Sequence, residues 1–170
     1  MVEAFTSDLI AQVQNVFSSG SGLQIPNYVR IDLSVVIIAN LINIVMTFLF
    51  ATRISGLPQM QYGLGIVVLF LDFTLGYFAF LNKKKGRGKW LTFLLMPIFI
   101  FSVVDMFLDY VLVLDFRSTV WVAPFVLLYY IGLWGLIGYS FMFGKKWGFL
   151  TLATYFANMV MSILPYTVPW

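Results

Sequence analysis

Three aspartates lie within long apolar stretches of the 170-residue chain, where an ionised side chain is costly. The segment FSVVDMFLDY contains Asp105 and Asp109, and the segment VVLFLDFTLG contains Asp72. A charged carboxylate at the centre of a bilayer costs on the order of 3 kcal/mol on insertion scales. We therefore expect each aspartate to face protein or water, as a protonated acid, beside a cation, or in a hydrated cavity.

The partners of these carboxylates are limited by what the chain lacks. No lysine or arginine lies in the interior of the apolar stretches, so no fixed positive charge answers them. This leaves protons, metal cations, organic cations, or amide and hydroxyl donors. Aromatic residues make up 19% of the chain, and their rings can surround an organic cation. The pattern favours a site that handles cations.

Further polar side chains recur at steps of three and four in the other apolar stretches, which places them on single helix faces. The predicted substrate- or ion-binding set consists of Asp72, Asp105, Asp109, Asn40, Asn43, Asn158, Tyr155 and Tyr129. The alternative is that they only join helices through hydrogen bonds, each worth less than about 2 kcal/mol. Gly132, Gly135 and Gly138, also at steps of three, predict close packing between helices.

Several kinds of chemistry are disfavoured by composition. The chain has no cysteine and no histidine, which removes disulfides, thiolate nucleophiles and imidazole ligands for metal or haem. The DxxxD spacing of Asp105 and Asp109 has no second carboxylate-rich motif with which to share a magnesium ion. We expect no cofactor and no metal centre of these kinds, and an enzyme is less favoured than a non-enzyme.

The overall composition predicts that these residues lie in a membrane. Hydrophobic residues make up 61% of the chain and charged residues 10%, with a mean hydropathy of +0.94. Five apolar runs are long enough to cross a hydrocarbon core of about 30 Å. The predicted spans are 32–52, 62–82, 89–114, 119–143 and 147–165. The predicted fold is thus an all-α bundle of five transmembrane helices in residues 31–170.

Residues 1–30 precede this bundle and predict a different element. Phe5, Leu9 and Val13 alternate with polar residues at helical spacing, which is typical of an amphipathic helix over residues 2–18. Such a helix lies in the membrane interface or packs against the bundle or a partner. The linker SSGSGLQIPN follows, and its glycines and proline end the helix.

The basic residues predict the orientation of the bundle. Eight of the ten lysines and arginines fall on one side of the predicted topology, which the positive-inside rule makes cytoplasmic. The N-terminus is then inside and the C-terminus outside. Five of the eight form a loop that predicts binding of anionic lipid headgroups: Lys83, Lys84, Lys85, Arg87 and Lys89. We expect no nucleic-acid partner.

These features predict a transport or channel-type membrane protein. An acidic, aromatic-lined cavity would handle protons, cations or a small cationic or amphiphilic molecule. Five spans are few for a complete transporter, so a homo-oligomer or a larger membrane complex is expected. One alternative is a membrane-embedded protein that binds a lipid or sterol-like ligand, or an isomerase-type enzyme that acts on one. Another is a non-catalytic subunit or assembly factor of a membrane complex.

Overall fold

The computed structural model describes residues 27–112 and 122–167, and this part of the chain forms five long helices. They are α1 (Asn27–Ile54), α2 (Pro58–Lys84), α3 (Lys89–Asp105), α4 (Val122–Phe143) and α5 (Lys145–Thr167). By length and composition all five can cross a membrane, with α3 extended by the π-helical turn that follows it. The prediction of an all-helical bundle with five long apolar helices is confirmed. The predicted amphipathic helix over residues 2–18 lies outside the described residues.

The helices form a closed ring in chain order. Each packs against its neighbours in sequence, α5 packs back against α1, and α1 also contacts α4 across the ring. Because the described connections are short, helices that they join run antiparallel. The contacts of Gly135 with Leu94 and of Gly132 with Ile98 show that α3 and α4 are antiparallel as well. The basic residues at and beside the α2–α3 and α4–α5 connections therefore lie at the same end as Arg30, the basic end. We call the opposite end the far end.

The outer surface of the bundle is apolar. Phe70, Trp90 and Trp134 are the most exposed large side chains, at 73%, 70% and 68%, and smaller apolar residues between them are also exposed. Several polar side chains lie inside instead, and Asn43, Asp72 and Asn158 are each 1% exposed. An apolar exterior around a partly polar interior is typical of helices that face lipid.

The connection between α2 and α3 folds back onto the bundle. Gly86 adopts a φ of +65°, a left-handed conformation that side chains disfavour, and its N–H donates to the Lys83 carbonyl at 3.1 Å. The N–H of Arg87 donates to the Asn82 carbonyl at 3.0 Å. This turn directs the Arg87 side chain towards α1 and α4.

The segment after α3 differs from the continuous helix predicted over residues 89–114. The α-helix ends at Asp105, and Met106–Val111 form a π-helical turn. The N–H of Leu112 donates to the carbonyl of Phe107 at 2.8 Å, the i→i+5 bond that defines this geometry. A π turn holds one more residue than an α turn, and such turns are frequent at functional sites.

The contact between α3 and α4 depends on glycine. A Cβ at Gly135 would overlap the Leu94 carbonyl oxygen, and a Cβ at Gly132 would lie 2.9 Å from the backbone of Ile98. At Gly138 it would meet only the Leu94 side chain, at 3.5 Å, an ordinary contact. The predicted close packing is thus confirmed at the first two glycines and is looser at the third.

Replacing Gly135 with alanine should therefore force the two helices apart. We expect a lower free energy of unfolding by about 1–3 kcal/mol, as for other overpacked sites. The measurement is thermal unfolding of the purified protein in detergent. Gly138→Ala is the matched control, with the same change in size on the same face. Equal midpoints for the two variants would contradict the packing described here.

Candidate functional site

A cavity of about 770 Å³ lies in the far half of the bundle, and all five helices contribute to its wall. Its charged lining residues are Asp105, Asp109 and Arg53, and Gln61 and Ser162 add polar groups. Phenylalanine and tyrosine side chains make up much of the remainder. Small-molecule sites are commonly about 300–1,000 Å³, mostly apolar, with a few polar groups that fix orientation.

Both predicted carboxylates of the third span lie on this wall. Asp105 is the last residue of α3 and Asp109 lies in the π turn, and each is partly buried. Arg53 reaches the same wall because α1 continues beyond the predicted end at residue 52, as far as Ile54. Its guanidinium carbon lies 5.6 Å from the centroid of the Phe50 ring, within cation–π distance. Among the described residues, the wall thus carries two acidic side chains and one basic one.

Aromatic rings pack together along the cavity. The Phe101 ring centroid lies 4.5 Å from that of Phe125 and 5.0 Å from that of Tyr129. On the opposite side of α3, Tyr62 and Tyr110 have centroids 5.3 Å apart. Such contacts hold the rings in fixed orientations along the cavity wall.

Asp72 is not among the residues that line this cavity. It lies at the α2–α3 contact, 1% exposed, with its Oδ2 2.5 Å from the Ser102 hydroxyl. The same hydroxyl lies 2.9 Å from the Ile98 carbonyl, and its single proton can be donated to only one of these acceptors at a time. The other carboxylate oxygen, Oδ1, has no hydrogen-bond partner among the described residues.

Two of the predicted amide residues have a similar environment. Asn158 donates from Nδ2 to the Tyr129 hydroxyl at 2.9 Å, which joins α5 to α4. Asn43 donates from Nδ2 to the Thr154 hydroxyl at 3.1 Å, which joins α1 to α5. Within the described part of the chain, the Oδ1 atoms of both asparagines are buried without a partner. Tyr129, the hydrogen-bond partner of Asn158, also lines the cavity.

The remaining two predicted site residues occupy helix contacts away from the cavity. Asn40 donates to the Thr151 hydroxyl and accepts from the Thr154 hydroxyl, both at 3.0 Å, so both ends of its amide are engaged. The Tyr155 hydroxyl accepts from the indole N–H of Trp134 at 3.1 Å. These contacts favour a structural role for both residues.

A polar cluster at the basic end was not predicted from the sequence. Arg87 donates to both carboxylate oxygens of Asp32, at 2.8 and 2.7 Å, and also to Asn82 Oδ1 at 2.8 Å. The Tyr139 hydroxyl donates to Asp32 at 2.6 Å. Burial alone would lower the pKa of Arg87, but the hydrogen bonds and the charge of Asp32 together raise it. The cluster ties α1, α2, α4 and the α2–α3 connection together.

Arg87 therefore differs from the other basic residues of its loop. Lys83, Lys84, Lys85 and Lys89 are exposed, whereas the guanidinium of Arg87 is bound to Asp32. The sequence contained a signal for this pair. Asp32 begins the first predicted span and Arg87 lies in the second loop, and the alternating topology brings both to the same end.

Breaking this ion pair should destabilise the bundle. The side chains of Arg87 and Asp32 are only 17% and 12% exposed, and removal of one member of a buried pair costs about 3–5 kcal/mol. We expect Arg87→Ala to lower the free energy of unfolding by about 3 kcal/mol, since it leaves the Asp32 carboxylate without its counter-ion. The measurement is thermal unfolding in detergent.

Two controls make that result specific. Lys85→Ala removes an exposed cation from the same loop and should change stability little. The double variant Asp32→Ala with Arg87→Ala should be less destabilised than the sum of the single variants, because no unpaired charge remains. Additive losses would show that the two side chains do not stabilise each other.

Comparison of the chain with protein-family models, curated protein sequences and solved structures finds no match. Among the described residues, no group of three histidine, cysteine, aspartate or glutamate side chains is placed to hold a metal ion.

Proposed function

We propose that the chain is an integral membrane protein that transports a small cationic or amphiphilic molecule. The observation that carries the proposal is the placement of Asp105 and Asp109 on the wall of one aromatic-lined cavity inside a bundle of membrane-length helices. Carboxylates on the wall of an aromatic-lined cavity suit a ligand with positive charge. The ring faces nearby offer cation–π contacts to an organic cation.

The asymmetry of the bundle supports transport over simple binding. The cavity is confined to the far half, whereas residues deeper in the bundle are closely packed, and Ile42, Leu75 and Leu136 are at most 1% exposed. The Asp32–Arg87 cluster joins the helices at the basic end. A site that is accessible in one half and sealed in the other is expected for one state of an alternating-access cycle.

The orientation proposed here follows from charge. With the basic end cytoplasmic, the cavity lies on the outer side of the membrane. The exposed lysines 83, 84, 85 and 89 then face the inner leaflet, where they would contact anionic headgroups. Because Arg87 is engaged with Asp32, the headgroup proposal rests on these four lysines.

Binding of ethidium, a fluorescent aromatic cation, tests the cavity. We expect saturable binding to the purified protein in nanodiscs, measured by fluorescence. The double variant Asp105→Asn with Asp109→Asn should weaken it by about tenfold or more, because both anionic contacts are lost. Uptake of ethidium by proteoliposomes loaded with DNA, where its fluorescence rises, tests transport.

A ligand control separates charge from hydrophobicity. The anionic aromatic dye anilinonaphthalene sulfonate should bind more weakly than ethidium, and the double variant should reverse that preference. Asn40→Ala, at a helix contact away from the cavity, should leave ethidium affinity unchanged. If the double variant binds ethidium as the unmodified protein does, the proposed role of the carboxylates is wrong. Binding without uptake would contradict transport.

A second candidate is a protein that binds a lipid or sterol-like molecule. Arg53 favours it, because a basic side chain beside two acidic ones suits a zwitterionic headgroup above an apolar body. Native mass spectrometry of the purified protein distinguishes this candidate from the first. A retained lipid that is lost from Arg53→Ala would favour it, and protein free of bound lipid would argue against it.

A further inference from the structure

Five polar side chains, one from each helix, are buried in the interior of the bundle. They are Asn43, Asp72, Ser102, Tyr129 and Asn158, each at most 7% exposed, and we call them the polar layer. Contacts among these residues and their neighbours join the helices. Asp72 bonds to Ser102, Asn158 bonds to Tyr129, and the ring of Tyr129 packs against Phe101, the neighbour of Ser102. Asn43 bonds to Thr154, one helical turn before Asn158.

The polar layer lies directly beneath the cavity. Met46, Val68 and Ser162 line the cavity, and each lies three or four residues from a layer residue on its own helix, towards the far end. Asp105 stands in the same relation to Ser102, and Tyr129 belongs to both. The layer therefore separates the cavity from the closely packed basic half.

Three side-chain oxygens of the polar layer have no hydrogen-bond partner in the part of the chain that the structure describes. They are the Oδ1 atoms of Asn43, Asp72 and Asn158, and each side chain is 1% exposed. For Asn43 the direction of the amide is fixed, since its Nδ2 lies 3.5 Å from the Thr151 carbonyl, which can only accept. Buried polar atoms without a partner among the described residues are rare, and three in one layer require a common explanation.

The chemistry of these atoms identifies the kind of partner. The Asn43 amide presents its oxygen, and the Asn158 amide can present either end because the Tyr129 hydroxyl can donate or accept. Carboxylate and amide oxygens are the ligands that hard cations prefer. Asp72 is the one carboxylate of the layer, so a single positive charge balances it. A divalent ion would leave a net charge in an apolar interior, which is costly. These properties favour a monovalent ion.

We propose that the polar layer binds a monovalent alkali cation, with Oδ1 of Asp72 and the amide oxygens of Asn43 and Asn158 as ligands. The Tyr129 hydroxyl is hydrogen-bonded to Asn158, and Tyr129 is also one of the residues that line the cavity. Binding of the cation would then orient a side chain of the ligand cavity. This coupling rests on the proposed transport function, whereas cation binding itself does not.

Thermal unfolding of the full chain in detergent tests the site, with sodium chloride replacing choline chloride at constant ionic strength. We expect the midpoint to rise with sodium and to saturate, because a cation that binds only the folded state stabilises it. Asp72→Asn should raise the half-saturating sodium concentration about tenfold or more.

Two asparagines of α1 provide a matched pair of variants. Asn43→Ala removes a proposed ligand and should weaken the sodium response. Asn40→Ala removes an amide of the same helix whose two ends are already engaged, so it should lower stability and keep the response. Similar weakening by both variants would show that the response reflects helix packing and would overturn the assignment of ligands.

A direct measurement of sodium binding tests the proposed site even if the Asp72→Asn variant does not fold. Equilibrium dialysis of the unmodified protein with radioactive sodium should show one saturable site, which unlabelled sodium competes for. Equal midpoints in sodium, potassium, lithium and choline, with no bound sodium, would mean that water satisfies the three oxygens and would overturn the proposal.

Sodium binding without ethidium binding would support the cation site and contradict the proposed function. The reverse result would contradict the cation site alone.

Discussion

Hydrogen bonding between helices is the constraint on which this bundle depends. Its exterior is apolar, so the polar side chains inside must be satisfied by one another. At the α1–α5 contact, Asn40, Thr151 and Thr154 exchange donors and acceptors, and Ser140 of α4 joins through Thr151 at 2.9 Å. Such bonds fix which helix faces meet, because a rotation of either helix would leave buried polar atoms unpaired.

The two halves of the molecule meet this constraint differently. At the basic end, the ion pair of Asp32 and Arg87 is completed by the hydroxyl of Tyr139 and the amide of Asn82. At the level of the polar layer, three acceptor oxygens stay unmatched by the described residues. Above that layer the helices separate around the cavity. The unmatched oxygens of the described residues thus lie between the ion pair and the cavity, at the level where the cation site is proposed.

Much of the fold could be predicted from the sequence, since apolar length and glycine spacing are local properties. The five helices and the close contact at Gly132 and Gly135 follow from them. The pairings between helices do not, because they depend on rotation of each helix about its axis. Periodicity placed Asn40 and Asn43 on one polar face, but Asn40 is fully engaged with α5 while Asn43 keeps an unpaired oxygen. The sequence did not predict that Arg53 lines the cavity or that Arg87 pairs with Asp32. Arg53 lies at the end of α1 and Arg87 in the α2–α3 connection, where charge is ordinarily solvated.

The π turn after α3 makes the spacing of the carboxylates on the cavity wall a matter of backbone geometry. Asp109 and Tyr110 lie within this turn and line the cavity together with Asp105, which precedes it. In an α-helix, residues four apart lie on the same face, so α-helical geometry would also keep Asp105 and Asp109 on one side. The wider π turn changes the angle between them about the helix axis. The hydrogen-bond register of one turn thus sets how far apart the two carboxylates stand on the wall.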